Sequence, residues 1–437
     1  MKLIYAVTNQ ERYLIKRMNG QVMCILESEM QVDTGYGFES PEADNQWILD
    51  HCGISVYRKC IFFSGDYCVA VFEPFGNLTP SDGYYWITED DLSVNKTDEA
   101  AALLLAKNAD QSKTAPWMSE NGLFKYLEWA KMSLSEMGYT VQGKVEQIKN
   151  AYISTIFRIP TNVSVVYLKI TSSVYVNNAN EERQLTERFG ELPIFLAVSP
   201  DGFAAITKEM PGHDCSIGST EQYERWLVSW GKKQGRTAGG NTLGLIDCSP
   251  QKLLSDIFDF EQQVTHILEV TKRPLSELGH KLLSEKLAQI KISLDLLCHH
   301  TIPNTICHVD IRSGNVRITE DSEILYDWGM AFYGHPFYDL LHFLRVVRRQ
   351  LTEEQKSEII DAYLSQWEPY GDKQMLQELY AQTEQCMEYF MLTADCRWVA
   401  EILDVCGGIP PKGTLDSWLL GKRLYYFDRG LHSFIEG

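Results

Sequence analysis

Three oxygen-bearing side chains within one stretch, Ile306 to Arg345, have types and spacing suited to gathering around a divalent cation. The stretch reads I-C-H-V-D-I-R-S-G-N-V-R-I-T-E-D-S-E-I-L-Y-D-W-G-M-A-F-Y-G-H-P-F-Y-D-L-L-H-F-L-R. Asn315 to Ile318 and Ile324 to Asp327 are short apolar-alternating runs on either side of the polar turn Thr319-Glu320-Asp321-Ser322, so they are expected to pair as a hairpin. With the turn centred near Asp321, Asn315 and Asp327 lie equally far from it and become cross-strand neighbours, their Cβ atoms roughly 5 Å apart. An amide oxygen and a carboxylate form a hard-oxygen pair that suits Mg²⁺, an ion that takes its remaining ligands from water and substrate phosphates. Asp310 precedes Asn315 in the loop entering this hairpin, where its carboxylate can reach a hydroxyl held near the metal. The chemistry expected of such a trio is phosphoryl transfer.

Taken singly, each of these residues is an ordinary turn former. As an ordered set, H-x-D, then Asn, then an apolar strand ending in Asp-Trp-Gly, then G-H-P-x-x-D-L, they resemble the aminoglycoside phosphotransferase and choline kinase-like family of small-molecule kinases. The resemblance implies a two-lobed, protein kinase-like α+β fold. It implies that Asp310 accepts or orients the proton of the attacking hydroxyl, and that Asn315 and Asp327 hold Mg²⁺ on the phosphates of ATP or GTP. It further implies that His308 braces the catalytic loop and that Asp339 hydrogen-bonds to it. Pro336 suits the first position of the helix P-F-Y-D-L-L-H-F-L, and a carboxylate at Asp339 suits that helix's N-terminus.

Two features favour a small-molecule acceptor over a protein. Regulated protein kinases carry Arg before the catalytic Asp, and that position here is Val309. From Asp327 the chain reaches Gly334 and a helix at once, leaving no room for an activation segment with an A-P-E ending.

Such chemistry needs an upstream nucleotide-binding lobe. Thr140 to Ile148, Ser154 to Ile159 and Val163 to Ile170 read as three strands separated by polar turns. In the third, Val163, Val165, Tyr167 and Lys169 share one face by the period of two, making Lys169 the candidate for the phosphate-binding lysine. The following helix, near Asn180 to Phe189, offers Glu182 as its ion-pair partner, with Glu181 and Glu187 as rivals. The loop Lys149 to Ile153 contains no glycine, so backbone amides and the hydroxyls of Ser154 or Thr155 would have to meet the phosphates. Phe203 to Gly212 is an apolar strand running into a Pro-Gly break. It reads as an interlobe hinge, with adenine bonding to backbone near Glu209 and Met210.

Beyond the hinge the chain is helical. One periodic segment runs from Leu253 to Leu268 and another from Leu278 to Leu297. Thr352 and Gln355 form a capping-box pattern opening a helix to about Trp367, and further helices fill Met375 to Leu392 and Leu415 to Ile435. Glu384, Glu388, Tyr389, Asp395, Trp398 and Glu401 are spaced to share helical faces, which would suit a cationic or polyhydroxylated acceptor.

The length of 437 residues suggests two or three domains. The net charge of −19, from 40 basic and 59 acidic residues, argues against nucleic acid or an anionic membrane as partner. No run of about 18 apolar residues appears, and the N-terminus lacks a signal peptide's apolar core, so a cytoplasmic location is expected. Eleven cysteines without metal-site spacing fit reduced thiols, and Cys307 reads as a small buried hydrophobe.

The kinase resemblance covers about Asn121 onward. The region before it reads as mainly β with one helix: strands at Leu3–Val7, Arg12–Arg17, Val22–Leu26, Ser55–Phe63, Tyr67–Glu73 and Tyr84–Trp86, and a helix near Pro41–Cys52. This order vaguely resembles a Nudix-type α/β fold. Its helix region, E-S-P-E-A-D-N-Q-W-I-L-D-H-C-G-I, lacks the R-E-x-x-E-E carboxylate cluster of that chemistry.

The expected organisation is an accessory domain over 1–115, a nucleotide-binding lobe over 116–210 and a helical lobe with the catalytic loop over 211–437, with Lys107–Ala115 as a polar linker. The expected function is ATP- or GTP-dependent phosphorylation of a small-molecule hydroxyl, on an antibiotic such as an aminoglycoside or on an amino-alcohol or sugar metabolite. The alternative is a catalytically silent, nucleotide-dependent binding module.

Overall fold

The computed structural model describes residues 2–9, 12–18, 22–24, 26, 41–94, 97–119, 121–174, 177–189, 194–215, 219–240, 243–412 and 414–436. The chain divides into two compact units. The first comprises Met1–Val174, Ile194–Glu209 and Ile402–Lys422; the second comprises Tyr175–Pro193, Met210–Glu401 and Arg423–Gly437. The division between Glu209 and Met210 falls inside the segment expected as a hinge. Residues 1–115 and most of 116–210 lie together in the first unit.

The first unit opens with β1 (Lys2–Asn9), β2 (Arg12–Met18), β3 (Val22–Cys24), α1 (Glu42–Cys52), β4 (Ser55–Ser64), β5 (Tyr67–Phe75) and β6 (Tyr84–Thr88). The strands form one sheet in the order β3-β2-β1-β5-β4, with β6 on β2, and β1 runs parallel to β5. β1 and β5 are continuous apolar runs because both faces of the sheet are covered. One face buries Tyr5, Val7, Phe72 and Ile48 of α1. The expected strand Val22–Leu26 shortens to β3, and Ile25 lies outside the described residues, as do Glu39 and Ser40 of the Nudix-compared stretch. The short helices α2 (Glu89–Ser93) and α3 (Asp98–Leu104) follow, then α4 (Gly122–Glu136).

The second sheet contains β7 (Glu146–Asn150), β8 (Ser154–Pro160), β9 (Val165–Thr171), β10 (Phe195–Val198) and β11 (Ala204–Lys208), ordered β10-β11-β9-β8-β7. All its pairings are antiparallel. The first of the expected strands begins at Glu146 rather than Thr140. Gly143, at φ 88°, interrupts the extended run, and Val141 makes only an isolated bridge to Thr161. Both sheets contribute to one core in which Val71, Trp117, Leu123, Phe157, Leu168 and Ile206 are buried. Each large side chain there contributes roughly 1.5–3 kcal/mol.

Lys107–Ala115 is not a loose linker. Leu105–Gln111 is a 3-10 helix, and Asp416, near the start of the C-terminal helix, accepts from Ser112 Oγ at 2.6 Å, Lys113 N at 2.7 Å and Thr114 Oγ1 at 2.5 Å. The segment is polar because it feeds one buried carboxylate, a contact that local composition cannot reveal.

The second unit holds α5 (Ala179–Arg188), β12 (His213–Asp214), α6 (Thr220–Gly235), β13 (Asp247–Cys248), α7 (Pro250–Ser255), α8 (Ile257–Val270), α9 (Glu277–Cys298) and β14 (Thr305–Cys307). After them come β15 (Val316–Ile318), β16 (Glu323–Leu325), β17 (Phe332–Gly334), α10 (Phe337–Val347) and α11 (Glu353–Leu364). The two last helices, α12 (Lys373–Cys406) and α13 (Leu415–Glu436), contribute residues to both units. Two small sheets, β12-β15-β16 and β13-β17-β14, frame the catalytic loop.

Ser249, Ser276 and Thr352 cap α7, α9 and α11 through their hydroxyls, Thr352 in a full capping box with Gln355. The periodic segment Leu253–Leu268 is two helices, parted at Asp256. α12 runs past the expected Leu392 to Cys406 because buried Cys396, Val399 and Ile402 extend its apolar face and no glycine intervenes before Gly407, at φ 71°.

Candidate active site

The catalytic loop grows out of β14, whose Ile306 and Cys307 are buried. Burial pushes the Cys307 thiol well above its ordinary value, so this cysteine is the inert hydrophobe its neighbours suggest. Val309 then adopts φ 67°, a left-handed conformation that costs a β-branched residue of order 1–3 kcal/mol. Asp339 in the first turn of α10 compensates: its carboxylate accepts from the backbone amides of His308 at 2.9 Å and Val309 at 2.8 Å. Two donors from α6 complete its shell, Trp230 Nε1 at 2.8 Å and Gln234 Nε2 at 3.0 Å. Burial pushes the Asp339 carboxyl up to about 6, while the donors pull it back. Four donors and no acceptor fit the ionised form at neutral pH. Pro336 is the cap residue of α10 rather than its first helical residue.

Asp310 follows on the exposed side of this turn, its side chain 30% accessible. Asn315, buried, donates from Nδ2 to Asp310 O at 2.8 Å and to Asp310 Oδ2 at 2.9 Å. That assignment follows from the carbonyl partner, which can only accept, and it leaves Oδ1 as the Asn315 atom able to meet a cation. Arg312 Nε lies 3.4 Å from Asp310 Oδ1.

The hairpin forms as expected, but its register differs by one residue. Val316 pairs with Leu325, Arg317 with Ile324 and Ile318 with Glu323, and Tyr326 N donates to Asn315 O at 3.1 Å. Asn315 therefore faces Tyr326, and Asp327 is not its cross-strand neighbour. The cause is the turn, which Thr319 and Ser322 close symmetrically, with Thr319 N on Ser322 O at 2.9 Å, so its centre falls between Glu320 and Asp321. Asp327 lies one residue beyond the ladder at φ 66° and ψ 60°, where the chain enters the 3-10 turn Trp328–Met330. The left-handed residue ends the strand and re-aims the carboxylate.

His308 is fully buried, and burial pushes its imidazole down to about 4. The neutral ring places Nε2 2.9 Å from Tyr326 O, so Nε2 carries the proton and ties the catalytic loop to the strand end before Asp327. Among residues the sequence reading missed, Asn177 donates from Nδ2 to Trp328 O and Ala331 O, both at 2.9 Å. Phe189 stacks on Trp328 at 4.7 Å. Gln234 is another: besides Asp339 it holds Tyr363 OH, which donates to Gln234 Oε1 at 2.5 Å. Its signal was present, a glutamine on the apolar stripe of Tyr223, Trp226 and Trp230.

In α5, Glu181 is consumed by the capping box, accepting from Asn178 N at 2.7 Å, and Glu187 is exposed beside Arg183. Glu182 is the buried carboxylate of the helix. In the first unit, Lys169 sits mid-strand between Ile156 and Ala205, on the half-buried face of β9. Ser154 is buried at the start of β8. Glu209 is exposed after β11 and accepts from Tyr167 OH at 3.2 Å, while half-buried Met210 opens the next segment of the second unit.

Two carboxylates of the acidic face expected of α12 have basic partners. Glu388 pairs with Arg345 at 2.5 Å and Asp395 with Arg423 at 3.9 Å, whose guanidinium lies 3.3 Å from the Trp398 ring centroid. Tyr389 is core, its hydroxyl donating to Leu253 O at 3.1 Å. Among the described residues no group of three or more His, Cys, Asp or Glu is gathered to hold a metal; the candidate Mg²⁺ ligands are an amide oxygen and a carboxylate. Ten described cysteines are free, and among the described residues no helix is long and apolar enough to cross a membrane.

A buried loop, a short hairpin and an Asp-Trp-Gly turn thus lie together within a helical frame. Residues 203–373, the stretch holding Asp310, Asn315, Asp327 and Asp339, match the model of the phosphotransferase enzyme family. No curated protein matches the chain. Among solved structures, the chain is similar to a choline/ethanolamine kinase family protein from Mesorhizobium loti, at 16% identity over 71% of this chain and 100% of that one, TM-score 0.43. It is also similar to an ethanolamine kinase from Plasmodium vivax, at 12% over 76% and 93%, TM-score 0.47. A macrolide 2'-phosphotransferase from Brachybacterium faecium is similar at 11% over 71% and 98%, TM-score 0.42.

Proposed function

We propose that the chain is a phosphotransferase that moves the γ-phosphoryl group of ATP or GTP onto a hydroxyl of a small molecule, an antibiotic or an amino-alcohol or sugar metabolite. The observation that carries this reading is Asp310, presented at the surface of a turn that Asp339 clamps and Asn315 ties down, inside the family-matching segment. In this reading Asp310 orients the acceptor hydroxyl and takes its proton as the oxygen attacks phosphorus. Asn315 Oδ1 and Asp327 would hold Mg²⁺, whose chemistry is to neutralise charge on the phosphate oxygens. Lys169, with Glu182 as its partner, would meet the α- and β-phosphates. The β7–β8 turn and Ser154 would face the phosphates, and backbone near Glu209 and Met210 would receive the purine. His308 and Asp339 act through the loop they hold. Residues 1–115 are read as an accessory region, and the site of action as the cytoplasm.

The test is a mass-spectrometric screen for gain of one phosphoryl group across aminoglycosides, other hydroxylated antibiotics, choline, amino alcohols and sugars. Mg²⁺-dependent transfer or nucleotide hydrolysis that vanishes in Asp310→Ala supports the reading. Nucleotide binding without turnover on any acceptor would establish a silent binding module instead.

A further inference from the structure

We propose that the N-terminal sheet is a brace for the turn joining β7 to β8, with Arg58 as its positioning residue, and that the brace sets the affinity of the nucleotide subsite flanked by this turn. The second half of this inference rests on the nucleotide reading above.

The turn Ala151-Tyr152-Ile153 has no glycine, and its first residue follows Asn150 at the end of β7, the edge strand of the second sheet. β4 is the edge strand of the first sheet. The two edges are joined by side chains rather than by a backbone ladder. Gln147 imitates a strand neighbour: its Oε1 accepts from Arg58 N at 2.8 Å and its Nε2 donates to Arg58 O at 2.8 Å. Three residues on, Asn150 Oδ1 accepts from Arg58 Nε at 3.3 Å, Asn150 O accepts from Arg58 NH2 at 3.4 Å, and Asn150 Nδ2 donates to Lys59 O at 3.1 Å. One fully buried guanidinium thus grips the root of the turn by backbone and side chain. Its charge is answered by Asp44 of α1 at 2.8 Å, and Tyr5 OH donates to the other Asp44 oxygen at 2.7 Å.

Beside this union lies a cavity of about 440 Å³ lined by Asn45, Leu49, Tyr57 and Val145, and Tyr57 OH donates to Val145 O at 3.3 Å at its margin. The ties that reach the root of the turn are those of Arg58 and Lys59 to Gln147 and Asn150. Tyr152 in the turn meets the edge of Trp418 at 5.0 Å and lies under Lys422 Nζ at 4.2 Å, so its tip is held as well. A buried ion pair is a poor way to gain stability, since apolar side chains of like volume do as well or better. It is a good way to fix geometry, because a guanidinium presents several donors in one rigid plane.

The experiment compares full-length wild type with Asn150→Ala, which removes the side-chain ties to Arg58 Nε and Lys59 O while leaving the backbone bond at Asn150 O and the Arg58–Asp44 pair intact. Tyr126→Phe serves as control, losing the Tyr126 OH–Asp201 bond of 2.8 Å elsewhere in the same unit. The probes are magnesium ADP titrated calorimetrically and amide hydrogen exchange across 149–155. In Asn150→Ala the dissociation constant for magnesium ADP is expected to rise about 10-fold, the loss of roughly one well-placed hydrogen bond. The nucleotide KM should rise with it, kcat should stay within a few-fold, and exchange at the turn should accelerate; Tyr126→Phe should change none of these. Wild-type nucleotide affinity or wild-type exchange in a folded Asn150→Ala protein overturns the proposal. If wild type itself binds no magnesium ADP, the phosphotransferase reading fails and takes the affinity half of this inference with it, and the exchange comparison alone then decides the brace.

Discussion

Two loops of this molecule are held by opposite means. In the second unit, the buried anion Asp339 gathers the N–H groups of His308 and Val309. In the first, the buried cation Arg58 grips the carbonyl and amide oxygens of Asn150. An anion suits a turn whose amides point inward, as the left-handed Val309 requires, and a cation suits a strand end that presents its carbonyl. Both are charges removed from water and answered by several partners, so each fixes its loop's geometry more than it adds to stability. In the function proposed above, the loop held by Asp339 presents Asp310 to the acceptor hydroxyl, whereas the loop held by Arg58 flanks the nucleotide phosphates.

The largest effect is therefore expected from the residue presented rather than from its holder. Asp310→Asn should lower turnover about 10³-fold while leaving nucleotide affinity and the urea midpoint near wild type, because the lost function is placement of the acceptor hydroxyl and its proton. An Asp310→Asn protein that turns over at the wild-type rate would remove Asp310 from the chemistry. Asp339→Ala, by contrast, leaves two buried amides, an indole N–H and a glutamine amide without their acceptor. It should cost roughly 3–5 kcal/mol in urea denaturation, with turnover falling because Val309 no longer keeps its conformation.

Acid separates the loops further. His300, His308 and His342 are each pushed down to about 4 by burial, and burial lowers His335 as well. Their contribution to stability is complete above the ordinary histidine range and is lost as pH falls toward and through 4, since the unfolded chain takes up protons first. Asp339 and Asp395 run the other way: burial raises both carboxyls to about 6, so their contribution is complete below the ordinary aspartate value and is lost as pH rises through 6. Four imidazoles against these two carboxyls give a net loss of stability between pH 6.5 and 4, readable in the urea midpoint. Asp339→Asn should steepen that loss by removing one opposing group; a flat profile would contradict the burial of these rings.

The catalytic loop was legible because its functional residues lie within one stretch of chain, where turn chemistry and strand alternation constrain them. Asp310 and Asn315 meet as their spacing suggests, and Asp339 bonds to the loop as the resemblance implies. The register of Asn315 and Asp327 was misjudged by one residue, since the symmetry of a four-residue turn depends on which hydroxyl closes it. Glu182, favoured by helical spacing, is the buried carboxylate of its helix, while capping takes up its rival Glu181. Arg58 was illegible: a lone arginine in an apolar strand reads as a surface residue, and its partners Asp44 and Asn150 come from a helix and a second sheet. Asp416, which makes an ordered segment of the supposed linker, hid for the same reason.

The smallest effect belongs to the face of α12. Arg345 and Glu388 meet at 2.5 Å, but their side chains remain 41% and 34% exposed, so water and salt screen the pair. Measured pairs of this kind contribute about 0.2–1 kcal/mol. Glu388→Gln should therefore shift the urea midpoint barely at all and leave the KM of a cationic acceptor within a factor of two, because Arg345 has already offset the carboxylate's charge. A many-fold rise in that KM would mean that Glu388 exchanges Arg345 for the substrate's cation on binding, and the acidic spacing along α12 would then be an acceptor surface after all. An unchanged KM would leave the acceptor's charge unread by this helix and confine the functional burial of charge to the two loops.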